Sequence, residues 1–354
     1  MKKLVVMLVA CFAVVVAFTP LAVAQISWET FVTLPDQAEG LAIDEEGNVF
    51  AGLIFTGEIL KITPQGEISV FATVPGVSPE SAWLVGLTFD GYGDLFAAFA
   101  SFVPEYTTGV YKITEDGTQV ELFATGTPET PMALPNDVLF DENGNLFVSD
   151  SFAGAIFKVT PEGEVSVFKT DPSLLTVNPD LGFGANGIDF DTEGNLFVAN
   201  TGEGTILKIT VNPDGTAGDI EQIAEDLVGA DGIVFDAAGN LYVAQNVADR
   251  IVIISPEGAV SVLASGYPLE SPASLELRGS SLFVTNLDFF SPEPPYTISV
   301  YYTEHVTGEV ATIEDRLSTV EDRADTLGTT SWMALGLAIV AIILGAASLA
   351  RRKR

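Results

Sequence analysis

The sequence predicts an all-β domain, a six-bladed β-propeller over residues 25–302, and three observations carry that expectation. One phrase recurs six times, at intervals of 42–51 residues counted from Gly40, Gly86, Asp137, Gly187, Gly232 and Ser274. Each copy divides into short runs of alternating β-branched and aromatic residues separated by Gly, Asn-Gly or Pro-x-Gly turns, the pattern of a four-stranded antiparallel blade. The last copy lacks a clear outer strand, and an orphan strand at the front of the domain is available to supply it.

The first copy reads Gly40-Leu-Ala-Ile-Asp44, Gly47-Asn-Val-Phe-Ala51, Gly57-Glu-Ile-Leu-Lys-Ile-Thr63 and Gly66-Glu-Ile-Ser-Val-Phe-Ala72. Four further copies keep all four runs. The sixth is degraded to Leu275–Arg278, Ser281–Thr285 and Thr297–Tyr301. The orphan strand Ile26–Thr33 (ISWETFVT) resembles Glu67–Thr73 (EISVFAT), the outer strand of the first copy. It is therefore expected to complete blade six and latch the ring by β-pairing. A closed domain of this size buries a large core without disulfides. None is available, because Cys11 lies in the leader and is the only cysteine.

The ends read as addresses. Lys2-Lys3, an apolar run from Leu4 to Phe18 and Ala22-Val23-Ala24 form the three-part pattern of a signal peptide over residues 1–24. Residues 332–350 carry no charge and are followed by Arg351-Arg352-Lys353-Arg354, which predicts a transmembrane helix with a basic cytoplasmic tail at 351–354. A processed sorting signal is the competing reading of that tail. Together with the absence of any Asn-x-Ser/Thr sequon, this predicts an exported prokaryotic cell-surface protein, single-pass, with the propeller outside.

Between them, residues 303–331 are expected to form a helical stalk. Ile313, Leu317, Val320, Ala324 and Leu327 follow a 4-3-4-3 spacing across two heptads. The same seam is a candidate for self-association, which a shared membrane would favour.

The charge is one-sided. The chain has 48 acidic and 15 basic residues. Six of the basic ones are Lys2, Lys3 and Arg351–Arg354, so residues 25–331 hold nine bases against 48 acids, a net of −39. Nucleic acid is excluded as a partner on that balance, and a neutral ligand is favoured over an anionic one.

Candidate chemistry sits at one repeat position. The residue before the first glycine of each copy, or its equivalent, reads Glu39, Val85, Asn136, Asn186, Asp231 and Ala273 around the ring. Because the copies are in phase, these side chains should reach one height in the central channel. Two carboxylates and two amides make a hard oxygen set, which suits Ca²⁺ or another divalent cation; no His or Cys set favours zinc. Asx-turn capping at strand entrances is the structural alternative, though Glu39 does not suit it.

Ala38-Glu39-Gly40, Pro135-Asn136-Asp137, Ala185-Asn186-Gly187 and Ala230-Asp231-Gly232 resemble the blade-start motifs of the SMP-30/gluconolactonase group, whose relatives include the DFPase and paraoxonase propellers. The resemblance implies a catalytic Ca²⁺ at one channel mouth, held by Glu39, Asn136, Asn186 and Asp231, and hydrolysis of a lactone or related ester. It also implies that Asp231 is the catalytic residue, both ligand and general base or nucleophile. A non-catalytic binding or adhesion propeller with a structural Ca²⁺ is the alternative. The chain departs from its relatives in its substrate-reading shell. Its only histidine is His305, and Arg250 and Arg278 are the only propeller arginines. Trp83, Asp137, Asp150, Asn200, Asn246, Asn286 and Asp288 are the candidates for that shell, with Tyr106 in a lid formed by the insert Phe102–Thr108.

Two motifs are set aside. Asp141–Asn145 and Asp191–Asn195 hint at calcium loops, but they recur at every first hairpin and read as turns. Lys61, Lys112, Lys158 and Lys208 recur in the third strand, which argues for a role in the repeat itself.

Overall fold

The computed structural model describes residues 28–289 and 294–302. The signal peptide, stalk, transmembrane helix and basic tail expected from the sequence, with the seam Ile313–Leu327, lie outside the described residues. Among the described residues no helix is long and apolar enough to cross a membrane.

The expected propeller forms. Twenty-four strands in six four-stranded antiparallel sheets account for the domain. Blade one is β2 (Ala38–Ile43), β3 (Val49–Leu53), β4 (Glu58–Ile62) and β5 (Ile68–Thr73). Blades two to five repeat that order, from the inner strands β6 (Ala82–Phe89), β10 (Pro135–Phe140), β14 (Ala185–Phe190) and β18 (Ala230–Phe235) to the outer strands β9 (Val120–Ala124), β13 (Val165–Thr170), β17 (Ala217–Ala224) and β21 (Val260–Ser265). Blade six is β22 (Pro272–Arg278), β23 (Ser281–Asn286) and β24 (Tyr296–Tyr302), with β1 (Trp28–Leu34) as its outer strand. The latch is as the sequence anticipates. Trp28 pairs with Tyr301 and Leu34 with Tyr296 across an antiparallel ladder.

Blades adhere through repeated aromatic wedges. Phe50 of β3 meets Phe71 of its own blade and Phe89 of the next, both edge to face, with centroids 5.0 and 4.9 Å away. Phe96 repeats this with Phe123 and Phe140, and Phe147 with Phe168 and Phe190. Edge-to-face pairs place ring hydrogens on a neighbour's electron-rich face, so in blades one to three a single phenylalanine fixes the angle to the following blade.

The recurrent lysines belong to the same unit. Lys61, Lys112, Lys158 and Lys208 each lie directly opposite the wedge phenylalanine in the ladder. Their ammonium groups stand 5.3–5.5 Å from the centroids of Phe50, Phe96, Phe147 and Phe197. Each also pairs with a hairpin aspartate: Asp44, Asp94, Asp141 or Asp191. Asp141 accepts hydrogen bonds from the Asn143 and Asn145 backbone N–H groups and from the Asn145 amide. These loops are therefore turns, their carboxylates already occupied by local donors and lysine.

Candidate metal and substrate site

The inner strands share one irregularity, and it creates the site. In every blade the inner ladder slips just past its start: between Ala38 and Leu41, Leu84 and Leu87, Pro135 and Val138, Ala185 and Ile188, Ala230 and Ile233, Pro272 and Leu275. A bulge re-aims the side chain it contains. The bulged residues are Glu39, Val85, Asn136, Asn186, Asp231 and Ala273, the ring position singled out in the sequence. The glycine that follows in four blades is obligatory. A Cβ on Gly40, Gly86, Gly187 or Gly232 would come within 2.1–2.6 Å of a carbonyl oxygen in the next blade. Only glycine lets the inner strands approach so closely.

Five of the six positions come together. Glu39, Val85, Asn136, Asn186 and Asp231 line one cavity, while Ala273 packs with Ile54 and Leu287. The four polar members are nearly sealed, at 6, 5, 6 and 4% exposure for Glu39, Asn136, Asn186 and Asp231.

A second ring supports the first and was not anticipated as a ring. It is the residue directly after the second strand of each blade: Ile54, Phe102, Ser151, Thr201, Asn246 and Leu287. In blades three to five it binds the first ring fifteen residues upstream. Asn136 Nδ2 donates to Ser151 Oγ at 3.0 Å and Asn186 Nδ2 to Thr201 Oγ1 at 2.9 Å. Asn246 Nδ2 donates to Asp231 Oδ2 at 2.7 Å. Ser151 and Thr201 pass their own protons to the carbonyls of Ala185 and Ala230 in the next blade. With its N–H engaged by Ser151, Asn136 leaves its oxygen without a partner in the cavity. In blades one, two and six the same position is apolar, so the second ring has a polar half and an apolar half.

The buried side-chain atoms left without a partner in this cavity are Glu39 Oε2, Asn136 Oδ1 and Asn246 Oδ1. All three are oxygens. An orphaned buried acceptor is costly unless a ligand satisfies it, and three converging acceptors beside a second carboxylate fit a hard cation. Among the described residues no three His, Cys, Asp or Glu side chains gather as a metal cluster; here amide oxygens stand where further carboxylates or imidazoles would. The donor set thus fits Ca²⁺ and other oxygen-seeking divalent ions.

The acidities agree with that fit. Burial pushes Asp231 up to about 6, against the lowering effect of the Asn246 and Asn186 amides. Glu39 is raised well above the usual carboxylate range, first by burial and then by the charges of Asp231 and Asp137. Both groups are short of positive charge.

Other expected shell residues separate into two groups. Trp83 and Asn246 line the cavity. Asp150 instead accepts from the backbone N–H groups of Ala133, Leu134, Phe152 and Ala153, so it holds a loop. Asn200 donates to Ser173 O and Leu175 O, and Asn286 to the Thr297 and Ser299 hydroxyls. Asp288 is outside the lining as well, its carbonyl accepting from Gln37 Nε2. Tyr106 does not form a lid over the cavity: its ring lies against Gly76, where a Cβ would strike it at 2.4 Å. The insert contributes Phe102 instead, packed on Trp83 with centroids 4.8 Å apart. Arg250 is held by Gln245, and Arg278 by the carbonyls of Asp44 and Glu45.

Asp137 faces a second cavity along the channel, with Asp189 and Glu276. It bridges blades by accepting from Ile188 N–H at 2.9 Å, as Asp189 accepts from Phe235 N–H. Burial raises these three to about 7, 6 and 8; neighbouring carboxylates add to the rise for Asp137 and Glu276.

A pH dependence follows. Carboxyl groups with raised folded-state pKa hold protons that the unfolded chain releases, so stability falls as pH rises through the window between the two values. In EDTA the melting temperature is expected to drop by several degrees from about pH 5 to about pH 8. Millimolar Ca²⁺ is expected to restore it more at the upper pH, because protons no longer compete. Circular dichroism melts in the four conditions check both signs; a metal-free protein that gains stability with pH contradicts the assignment.

With this geometry in place, the comparisons become specific. Residues 85–287, more than half of the chain, match the family described as SMP-30/Gluconolactonase/LRE-like region. The chain belongs to this family. Among proteins of curated function, none matches the sequence. Solved structures share the fold at low identity. A gluconolactonase from Xanthomonas campestris aligns at 15% identity and TM-score 0.63, covering 81% of this chain and 93% of its own. Regucalcin, a calcium-binding protein from Agrobacterium tumefaciens, aligns at 18% and 0.61, covering 78% and 93%. Virginiamycin B lyase from Staphylococcus aureus aligns at 14% and 0.52, covering 78% and 98%. As a member of the SMP-30/gluconolactonase family, the chain carries its ring residues on the blades that the sequence motifs assign.

Proposed function

We propose that this protein is a Ca²⁺-dependent hydrolase of neutral lactones or related esters, anchored at the cell surface by its C-terminal segment. The observation that carries the activity is the set of orphaned oxygens, Glu39 Oε2 and Asn136 Oδ1, buried beside Asp231 in one cavity. Glu39, Asn136, Asn186 and Asp231 would hold the cation, which supplies Lewis-acid polarisation of the scissile carbonyl. Asp231 is positioned as the base or nucleophile, its Oδ2 held by Asn246 at 2.7 Å. Ser151 and Thr201 orient the two amides. Trp83, Phe183 and Phe289 exclude water from the opposite side.

One observation favours a second reading. Among the described residues no Lys, Arg or His lines the cavity, so an oxyanion would have no cationic side chain from them to meet it, as in a binding propeller with structural Ca²⁺. The test is a screen of lactones and aryl esters with the full chain, in Ca²⁺ and in EDTA. Turnover that disappears in EDTA and returns with Ca²⁺ supports the hydrolase. Ca²⁺-dependent stabilisation without turnover of any substrate favours the binding propeller. Failure to bind any divalent ion removes both.

A further inference from the structure

We propose that the substrate's non-reacting part is apolar, an alkyl chain or aryl group, seated over blades six, one and two; this rests on the hydrolase reading above. The cavity is divided by the two rings. Blades three to five present Asn136, Asn186 and Asp231 with their polar supports. Blades six and one present Leu287 and Ile54 from the second ring and blade two presents Val85 from the first; blade one also carries Glu39 of the oxygen set. A ligand whose carbonyl lies at the oxygen set must extend over that apolar half.

Above it, three rings from alternate blades come together. Trp83 of β6, Phe183 from the loop before β14 and Phe289 from the loop after β23 all line the cavity. Their centroids are 6.0, 6.4 and 6.5 Å apart, and two of the three pairs meet edge to face. The one polar atom among them, Trp83 Nε1, donates to Pro79 O at 3.3 Å, so the indole presents its face and not its N–H.

The polar atoms elsewhere in the cavity are already committed. Thr201 Oγ1 donates to one neighbour and accepts from another. The unpartnered buried atoms are acceptors clustered at the cation position. A polyhydroxylated lactone would bury hydroxyl groups against rings and aliphatic carbons with few partners, the arrangement that binding sites discriminate against most strongly. An alkyl or aryl substituent meets surface it can cover fully.

The experiment compares three neutral lactones on the full chain in Ca²⁺: γ-nonalactone, γ-butyrolactone and glucono-δ-lactone. The expected kcat/KM for γ-nonalactone exceeds that of the other two by at least about ten-fold, the scale of discrimination that a few buried methylenes supply. Phe183→Ala and Phe289→Ala should compress that ratio toward one, and Phe289→Leu should compress it less. Thermal melts confirm that each variant folds. Equal rates for the three lactones, or a preference for glucono-δ-lactone, overturn the proposal while leaving an EDTA-sensitive hydrolase intact.

If no lactone is turned over, the hydrolase reading fails and calorimetric binding decides the remainder. Tighter binding of γ-nonalactone than of glucono-δ-lactone, weakened by Phe289→Ala, still supports an apolar site. Equal binding, or none, overturns it.

Discussion

Asp231→Asn is expected to lower kcat/KM for a hydrolysed lactone or ester by at least about 10³-fold while making the metal-free protein more heat-resistant. The loss combines two effects of one carboxylate. A general base contributes about 10²- to 10⁴-fold, and removing one of the two charges in the oxygen set weakens cation binding as well. The stability gain has a separate origin. Burial raises Asp231 to about 6, so at about pH 8 the folded protein carries an ion that it holds less readily than water does. The amide of the variant carries no charge and still accepts from Asn246 Nδ2, the donor that now lies 2.7 Å from Oδ2. Kinetics in saturating Ca²⁺ and melts in EDTA read the two effects independently. Activity within ten-fold of the native protein would dismiss Asp231 as the reacting group. A lower melting temperature in EDTA would dismiss the view that this site retains a charge at the expense of stability. Glu39→Gln should shift stability in the same direction, since burial raises its carboxyl as well.

The contrast between the two rings shows what the sequence disclosed. Glu39, Asn136, Asn186 and Asp231 were legible because they precede a glycine, or its equivalent, at one phase of a repeat, and a purely structural repeat has no need of four oxygen-bearing side chains there. The bulge that aims them was not legible. Bulges follow from ladder slippage between strands, and nothing in a single blade-start motif records it. The second ring was in plain sequence, fifteen residues downstream in blades one, three, four and five, yet it reads as Ser151, Thr201 and Asn246 in three blades and as Ile54, Phe102 and Leu287 in the others. Its mixed chemistry conceals a shared position until the hydrogen bonds pair it with the first ring. Asp150 and Asn200 were misleading for a related reason. Polar residues at strand ends hold loops as often as they face ligands, and these two are consumed by backbone partners. Phe183 and Phe289 lie in loops outside the repeat, where phase gives no guidance. They reach the cavity only because the ring brings loops from blades four and six together.

Deleting Trp28–Leu34 is expected to abolish the cooperative unfolding transition of the propeller. β1 is outermost in blade six but runs directly into β2, the innermost strand of blade one, so one segment ties the two ends of the ring together. Without it β24 becomes an exposed edge, lacking the partners it has from Tyr296 to Tyr301, and such edges promote association. The deletion also removes Phe31 from Phe283 and Trp28 from Tyr301, ring pairs at 5.3 and 5.1 Å. What then holds blade six to blade one is the packing of β22 and β23 on β2. Inner-strand packing also positions Glu39 against Asp231, so the metal site should fail together with the ring. A graded variant separates closure from general damage. Leu34 is 5% exposed in the core between the latch and blade one, and Leu34→Ala should cost about 2–5 kcal/mol while leaving the transition cooperative. Urea titrations followed by near-ultraviolet circular dichroism, with and without Ca²⁺, distinguish the cases. A deletion variant that unfolds in one sharp step close to the native urea midpoint would mean that inner-strand packing alone closes the ring. Ca²⁺ rescue of Leu34→Ala, but not of the deletion, is the result expected if closure comes first and the oxygen set assembles on it.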